Sequence, residues 1–201
     1  MDVEQHYSYV KKLQNYSKFD PECKVKFILN NFKRFLKLVD GFEATWGIIV
    51  KAEKRYNSAA GSGDLGVRVQ KSGYSNPTMQ EAMFNMEMER AKTESELGSI
   101  VKGTDNPNQH IWEKHIIQDM RDDYSIMVNA IHELDQLDEE MFLRYLKKED
   151  VVRDIADKCN IQYSSAKRKI YDIRKTVILT AAENIELKYR IINREVADDE
   201  Q

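Results

Sequence analysis

Val152-Arg153-Asp154-Ile155-Ala156-Asp157-Lys158-Cys159-Asn160-Ile161-Gln162-Tyr163-Ser164-Ser165-Ala166-Lys167-Arg168-Lys169-Ile170 is the stretch whose reading decides the fold. A helix-turn-helix needs a small residue where its two helices cross, and Ala156 supplies it. It needs a turn residue that enters the left-handed region cheaply, and Asn160 is among the few non-glycine types that do. An apolar plug is expected next, at Ile161. The second helix must then separate an inward row, Ala166, Ile170, Ile173 and Val177, from an outward row rich in donors, Tyr163, Ser164, Lys167, Arg168 and Tyr171. The segment from Asp150 to Lys175 is therefore expected to form a helix-turn-helix.

The charge pattern around this stretch agrees. The whole chain of 201 residues carries -3. Between Met141 and Ile178, however, ten basic residues face five acidic ones, a local +5 that leaves -8 on the remainder. A basic module attached to an acidic assembly region is the natural reading. With 32% charged and 41% hydrophobic residues, 8 Gly and 3 Pro, an all-α fold is expected. No run of 18 apolar residues is present, so no transmembrane helix is expected. Met1 opens onto Asp2 and Glu4 without an apolar leader, and Cys23 and Cys159 lie far apart. Both are read as reduced, packing cysteines of a cytoplasmic protein.

Working outward, Leu137 to Leu146 reads as a helix preceded by Asp135 and capped by Asp138. Before it, Ile111, Trp112, His115, Ile116, Met120, Tyr124, Met127, Val128, Ile131 and Leu134 keep a 3.6-residue period through one long helix. The break at Gly103 to Asn108 separates that helix from another over Met79 to Lys102, opened by Asn76-Pro77-Thr78. Met79, Met83, Met86 and Met88 read as flexible core filling. Near the start, Tyr7, Val10 and Leu13 mark a helix over Val3 to Tyr16, and Asp20-Pro21 opens the next. The second carries a wide apolar stripe through Phe27, Ile28, Phe32, Phe35, Leu36, Val39 and Phe42. Gly41 and Gly47 weaken it, while Trp46, Ile49 and Val50 extend its face to about Tyr56. The predicted organisation is an N-terminal helical region (1–56), a glycine-rich linker (57–77) with a short alternating piece at Leu65 to Val69, a helical middle region (78–133), and a helix-turn-helix domain (134–201). The last helix is expected to run on to about Arg194 through Ala181, Ile185, Tyr189 and Ile192, either packing back on the N-terminal helices or forming a dimer seam.

The pattern Ile155-Ala156, Asn160, Ile161 and the basic helix after it resembles region four of bacterial sigma factors. Leu134, Leu137, Met141, Phe142 and Arg144-Tyr145 are similar to the helix that leads into that region. More narrowly, the chain resembles phage late-gene transcription regulators of the ArpU and RinA type, which carry such a module at the C-terminus. Ser72-Gly73-Tyr74-Ser75-Asn76-Pro77-Thr78 with Glu81-Ala82 is also similar to a segment of these proteins. The main resemblance covers about Leu134 to Val177. Asn160 stands where the family has glycine, and Gln162 stands where a serine or threonine cap is common. Nothing corresponds to sigma region two, so promoter melting is not implied.

The expected function is sequence-specific binding of double-stranded DNA in the major groove, with regulation of transcription alongside RNA polymerase. Tyr163, Ser164, Lys167 and Arg168 are the expected base contacts, and Lys147, Lys148, Lys169, Arg174 and Lys175 the expected phosphate contacts. A competing reading is a phage DNA-packaging subunit of the small-terminase kind, although those place the DNA-binding module at the N-terminus. A second is a helical structural protein without nucleic acid. A homo-oligomer fits the first two. No enzyme, cofactor or metal is expected. His110 and His115 stand five apart rather than the four that aligns two ligands on a helix. Asp122-Asp123 and Asp138-Glu139-Glu140 read as solvated surface, and the glycines at 61, 63 and 66 lack the lysine and threonine of a phosphate loop.

Overall fold

The computed structural model describes residues 3–61, 79, 82, 83, 86 and 94–199, and every regular element among them is a helix. These are α1 (Val3–Ser17), α2 (Pro21–Gly61), α3 (Glu94–Val101), α4 (Pro107–His132), α5 (Gln136–Leu146), α6 (Val152–Lys158) and α7 (Tyr163–Asp199). Two starts fall where the sequence breaks, with Pro21 and Pro107 each at the first position of a helix. Asp20 caps α2: its Oδ1 accepts the Cys23 amide at 2.6 Å, and that bond holds the carboxyl below its ordinary range. Helix α2 passes through Gly41 and Gly47 and ends at Gly61, five residues inside the segment read as a linker. Each glycine costs an exposed helix about 1 kcal/mol. Burying Val39, Trp46, Ile49 and Val50 along the same face returns about 1.5–3 kcal/mol apiece, so packing outweighs propensity.

The chain divides into two units whose boundaries lie inside α2 and α4. The first joins Met1–Asp40 to Gln118–Gln201. Its core holds Leu13, Tyr16, Ile28, Phe35, Met127, Ile131, Phe142, Val177 and Ile185, all at most 2% exposed. Tyr124 stacks on Phe35 at 5.7 Å and on Phe32 at 5.8 Å between centroids, tying α4 to α2. A buried ionic network lies among α1, α2, α4 and α7. Asp123, fully buried, accepts the Tyr16 hydroxyl at 3.0 Å and pairs with Lys24 at 3.3 Å and Lys188 at 2.8 Å. Lys188 also reaches Asp119 at 3.1 Å, and Lys24 donates to the Tyr189 hydroxyl. Burial and then the Asp123 charge push the Tyr16 hydroxyl well above its usual pKa. Burial alone would lower the Lys188 pKa, but the Asp123 and Asp119 charges prevail and raise it. The expectation that Asp123 is solvated surface is thus corrected: its carboxyl group is fully buried, with Lys24, Lys188 and the Tyr16 hydroxyl as partners.

The second unit is Gly41–Ile117. Trp46 is fully buried and its indole N–H donates to the His110 carbonyl at 2.9 Å. The His110 ring, 2% exposed, lies between two carboxylates, with Nδ1 3.3 Å from Glu113 and Nε2 3.0 Å from Glu53. An imidazole donates from both nitrogens only when protonated. Burial opposes that charge, yet the bonds to Glu113 and Glu53 raise the His110 pKa above its ordinary value. A raised folded-state pKa supplies stability that is complete below the unfolded value, about 6.5, and is lost as pH rises through the folded one. Denaturation midpoints of the native chain are accordingly expected to fall on the alkaline side of about pH 6.5. His110→Gln should flatten that decline, and parallel profiles would reject the protonated clamp.

Several sequence expectations change. Cys23 and Cys159 are free and exposed rather than packed, and Met79, Met83 and Met86 are 60%, 48% and 48% exposed, so they do not fill a core. Asp138 does not cap α5; Asp135 holds the N-cap position without a side-chain bond. The alternating piece at Leu65 to Val69, the opening Asn76-Pro77-Thr78 and most of the predicted Met79–Lys102 helix lie outside the described residues. Among the described residues no helix is long and apolar enough to cross a membrane.

Candidate nucleic-acid interface

Helices α5 and α6 end in the same way, and the two endings shape the basic surface. At the end of α6, the Ile161 amide reaches the Ala156 carbonyl at 3.0 Å and the Asn160 amide the Asp157 carbonyl at 3.2 Å. That is a Schellman closure, which demands a left-handed residue, and Asn160 has φ 51°. Helix α5 repeats it: Glu149 bonds back to Arg144 at 2.9 Å, Lys148 to Tyr145 at 3.1 Å, and Lys148 takes φ 57°. Glycine or asparagine is the usual occupant, so a lysine there carries strain.

Helix α6 begins at Val152 because Asp154 reaches back to the Val151 amide at 3.0 Å, half of a capping box whose other half an apolar Val151 has no acceptor to complete. Its inner face is Ile155 and Ala156, 2% and 3% exposed, packed against α7. The Asp150 carboxylate ties the α5–α6 connection to the last residue of α6, accepting Lys158 at 2.6 and 2.7 Å, with Arg144 of α5 at 3.7 Å. The Lys158 bond, chiefly, lowers the Asp150 pKa.

Helix α7 starts at Tyr163, its first turn closed by the Ala166 amide on the Gln162 carbonyl at 3.0 Å. The inward row is as expected: Ala166, Ile170, Ile173 and Val177 are 0%, 5%, 5% and 0% exposed. Ile161 is not the buried plug expected of it, at 37% exposed. The Schellman closure leaves it at the lip of a cleft with Leu137, Met141 and Ile155, and Leu137 is itself 79% exposed. Beyond Val177 the helix packs back on its own unit, burying Ile178, Ala181, Ala182 and Ile185 before Lys188 and Tyr189 enter the ionic network.

Tyr163, Ser164, Lys167 and Arg168 are all exposed on one stretch of α7. They are not equivalent. At 100° per residue, Lys167 and Arg174, seven apart, share one flank about 10 Å apart along the axis. Arg168 and Lys169 turn away from that flank. Arg168 lies 3.8 Å from Asp172, and Lys169 is bound to Asp138 at 2.5 Å. Lys169, expected as a phosphate contact, is half-exposed and forms an α5–α7 ion pair with Asp138. Lys147, Lys148 and Lys175 are exposed, and half-buried Arg174 donates to the Asn30 side chain at 2.7 Å.

Sequence reasoning missed Lys33 and Arg34 of α2, which line one cleft with Lys148 and Arg174. Read alone they are a solvated helix face, and no local signal marks them. It also missed Asp154, whose place three residues past the N-cap was legible. Among the described residues no group of three or more His, Cys, Asp or Glu side chains is arranged to hold a metal ion. Comparison with protein-family models, with curated proteins and with solved structures gives no match to this chain.

Proposed function

We propose that α6, the turn at Asn160 and the first turns of α7 act as a helix-turn-helix that reads double-stranded DNA in the major groove. In this reading the chain is a sequence-specific transcription regulator of the phage or prophage late-gene kind, working with host RNA polymerase. The observation that carries it is the first two turns of α7: a fully buried Ala166 on one side, and exposed Tyr163, Ser164, Lys167 and Arg168 on the other, set against α6 through a left-handed Asn160. The local +5 supplies the electrostatic attraction that an overall acidic chain otherwise lacks.

Lys167 is the strongest candidate for a base contact, because no carboxylate among the described residues pairs with it. Footprinting and gel shift on fragments of the genome that encodes the chain test the reading. Lys167→Ala is expected to cost about 1–3 kcal/mol at a specific site and to relax the preference at one position. A footprint and affinity equal to those of the native chain would remove Lys167 from the interface. Transcription in vitro with the host polymerase tests the regulatory part.

A further inference from the structure

We infer that the cleft formed by α2, the connection between α5 and α6, and α7 is a second DNA contact, one that grips the phosphate backbone and recruits Lys33 and Arg34 from the N-terminal part of the chain. This rests on the DNA-binding reading above and extends it to a helix outside the helix-turn-helix. The cleft, about 430 Å³, is lined by Lys33, Arg34, Lys148 and Arg174 together with Asn30, Asn31 and Tyr145, and by no carboxylate. The chain has 34 acidic residues against 31 basic ones. In the same unit Lys24, Arg144, Lys158, Lys169 and Lys188 sit on carboxylates, while the exposed Lys167 does not. Among the described residues none of the four cleft cations does so.

What holds them is neutral. Arg34 donates to the Asn31 amide oxygen at 3.0 and 3.2 Å, and Arg174 to that of Asn30 at 2.7 Å. An amide oxygen orients a guanidinium without cancelling its charge, so both forks are preset and still need an anion. Grouping four cations costs the folded chain their mutual repulsion, and Lys148 adds left-handed strain at φ 57°. The repulsion is relieved when a polyanion enters. The ligand chemistry follows from position: Arg174 lies on the same flank of α7 as Lys167, about 10 Å further along the axis. A duplex read by Lys167 would therefore run its backbone toward the cleft.

The test uses the full chain and a labelled DNA duplex of mixed sequence, titrated by fluorescence anisotropy over a range of salt concentrations. Lys33→Gln/Arg34→Gln keeps helix propensity at two exposed positions, so the fold should persist, and circular dichroism melting verifies this. Each phosphate contact contributes about 0.9 to the slope of log affinity against log salt, so the double variant should lose roughly 1.8 from that slope. It should bind about tenfold or more weakly at low salt, equally for all sequences. Lys148→Gly removes one cleft cation while relieving its positive φ, and should lower the slope by about 0.9 in a chain no less stable. If the native chain binds the duplex and both variants match it in affinity and slope, the cleft proposal alone fails. If the native chain does not bind duplex DNA at all, the DNA-binding reading fails and takes the cleft with it.

Discussion

Asp123→Ala is expected to lower the unfolding free energy by about 3–5 kcal/mol, because it leaves buried ammonium groups without their principal counter-charge. Lys24 has only Asp123 as a carboxylate partner among the described residues, whereas Lys188 keeps Asp119 at 3.1 Å. The Tyr16 hydroxyl loses its acceptor at the same time. Attraction between the charges offsets their desolvation only while the set is complete, so deleting one member does more harm than replacing the set. Replacing Asp123, Lys24 and Lys188 together with apolar residues of similar volume should accordingly cost much less than the single change. Urea denaturation of both variants measures the difference, and a loss below about 1 kcal/mol for Asp123→Ala would show that the network is hydrated rather than buried.

Trp46→Ala is expected to cost about 3–5 kcal/mol in the second unit. The indole is fully buried, donates to the His110 carbonyl at 2.9 Å, and has the Lys114 ammonium 5.5 Å from its ring centroid. Trp46→Phe keeps much of the apolar volume and removes the donor, a net loss of about 1 kcal/mol for the bond plus the smaller volume change. Amide exchange separates these results by location: the alanine variant should lose protection first along the 41–61 part of α2 and along 107–117 of α4. Uniform protection in Trp46→Ala would mean that the surrounding helices close over the cavity.

The parts of this fold legible in the sequence are those decided within one or two helical turns. Ala156, Asn160 and the row Ala166, Ile170, Ile173 and Val177 are fixed by local period and by the left-handed closure, and all occupy the predicted positions. Ile161 misled because a closure of this kind sends the next residue to the helix edge, where it is only partly covered. Asp123 misled, and the partner of Lys169 went unseen, for a different reason. Their partners lie on other helices, 99 residues away for Lys24 and 31 for Asp138, and charge pattern alone cannot distinguish a solvated carboxylate from a matched one. His110 shows the same limit, since the five-residue spacing that argued against a metal pair carries no information about Glu53. Of the candidate interface, the α7 residues could be read from spacing; Lys33 and Arg34 required the packing of α2 beside α7.

That packing has a consequence for synthesis. The first unit is built from the two ends of the chain, Met1–Asp40 and Gln118–Gln201, so its earliest helices leave the ribosome without the partners that bury Leu13, Ile28 and Phe35. At roughly 5–20 residues per second the intervening segment alone takes about 4–15 s to translate. Throughout that interval the apolar stripe of α2 lacks the later helices that cover it, and the first unit can close only once α7 has emerged.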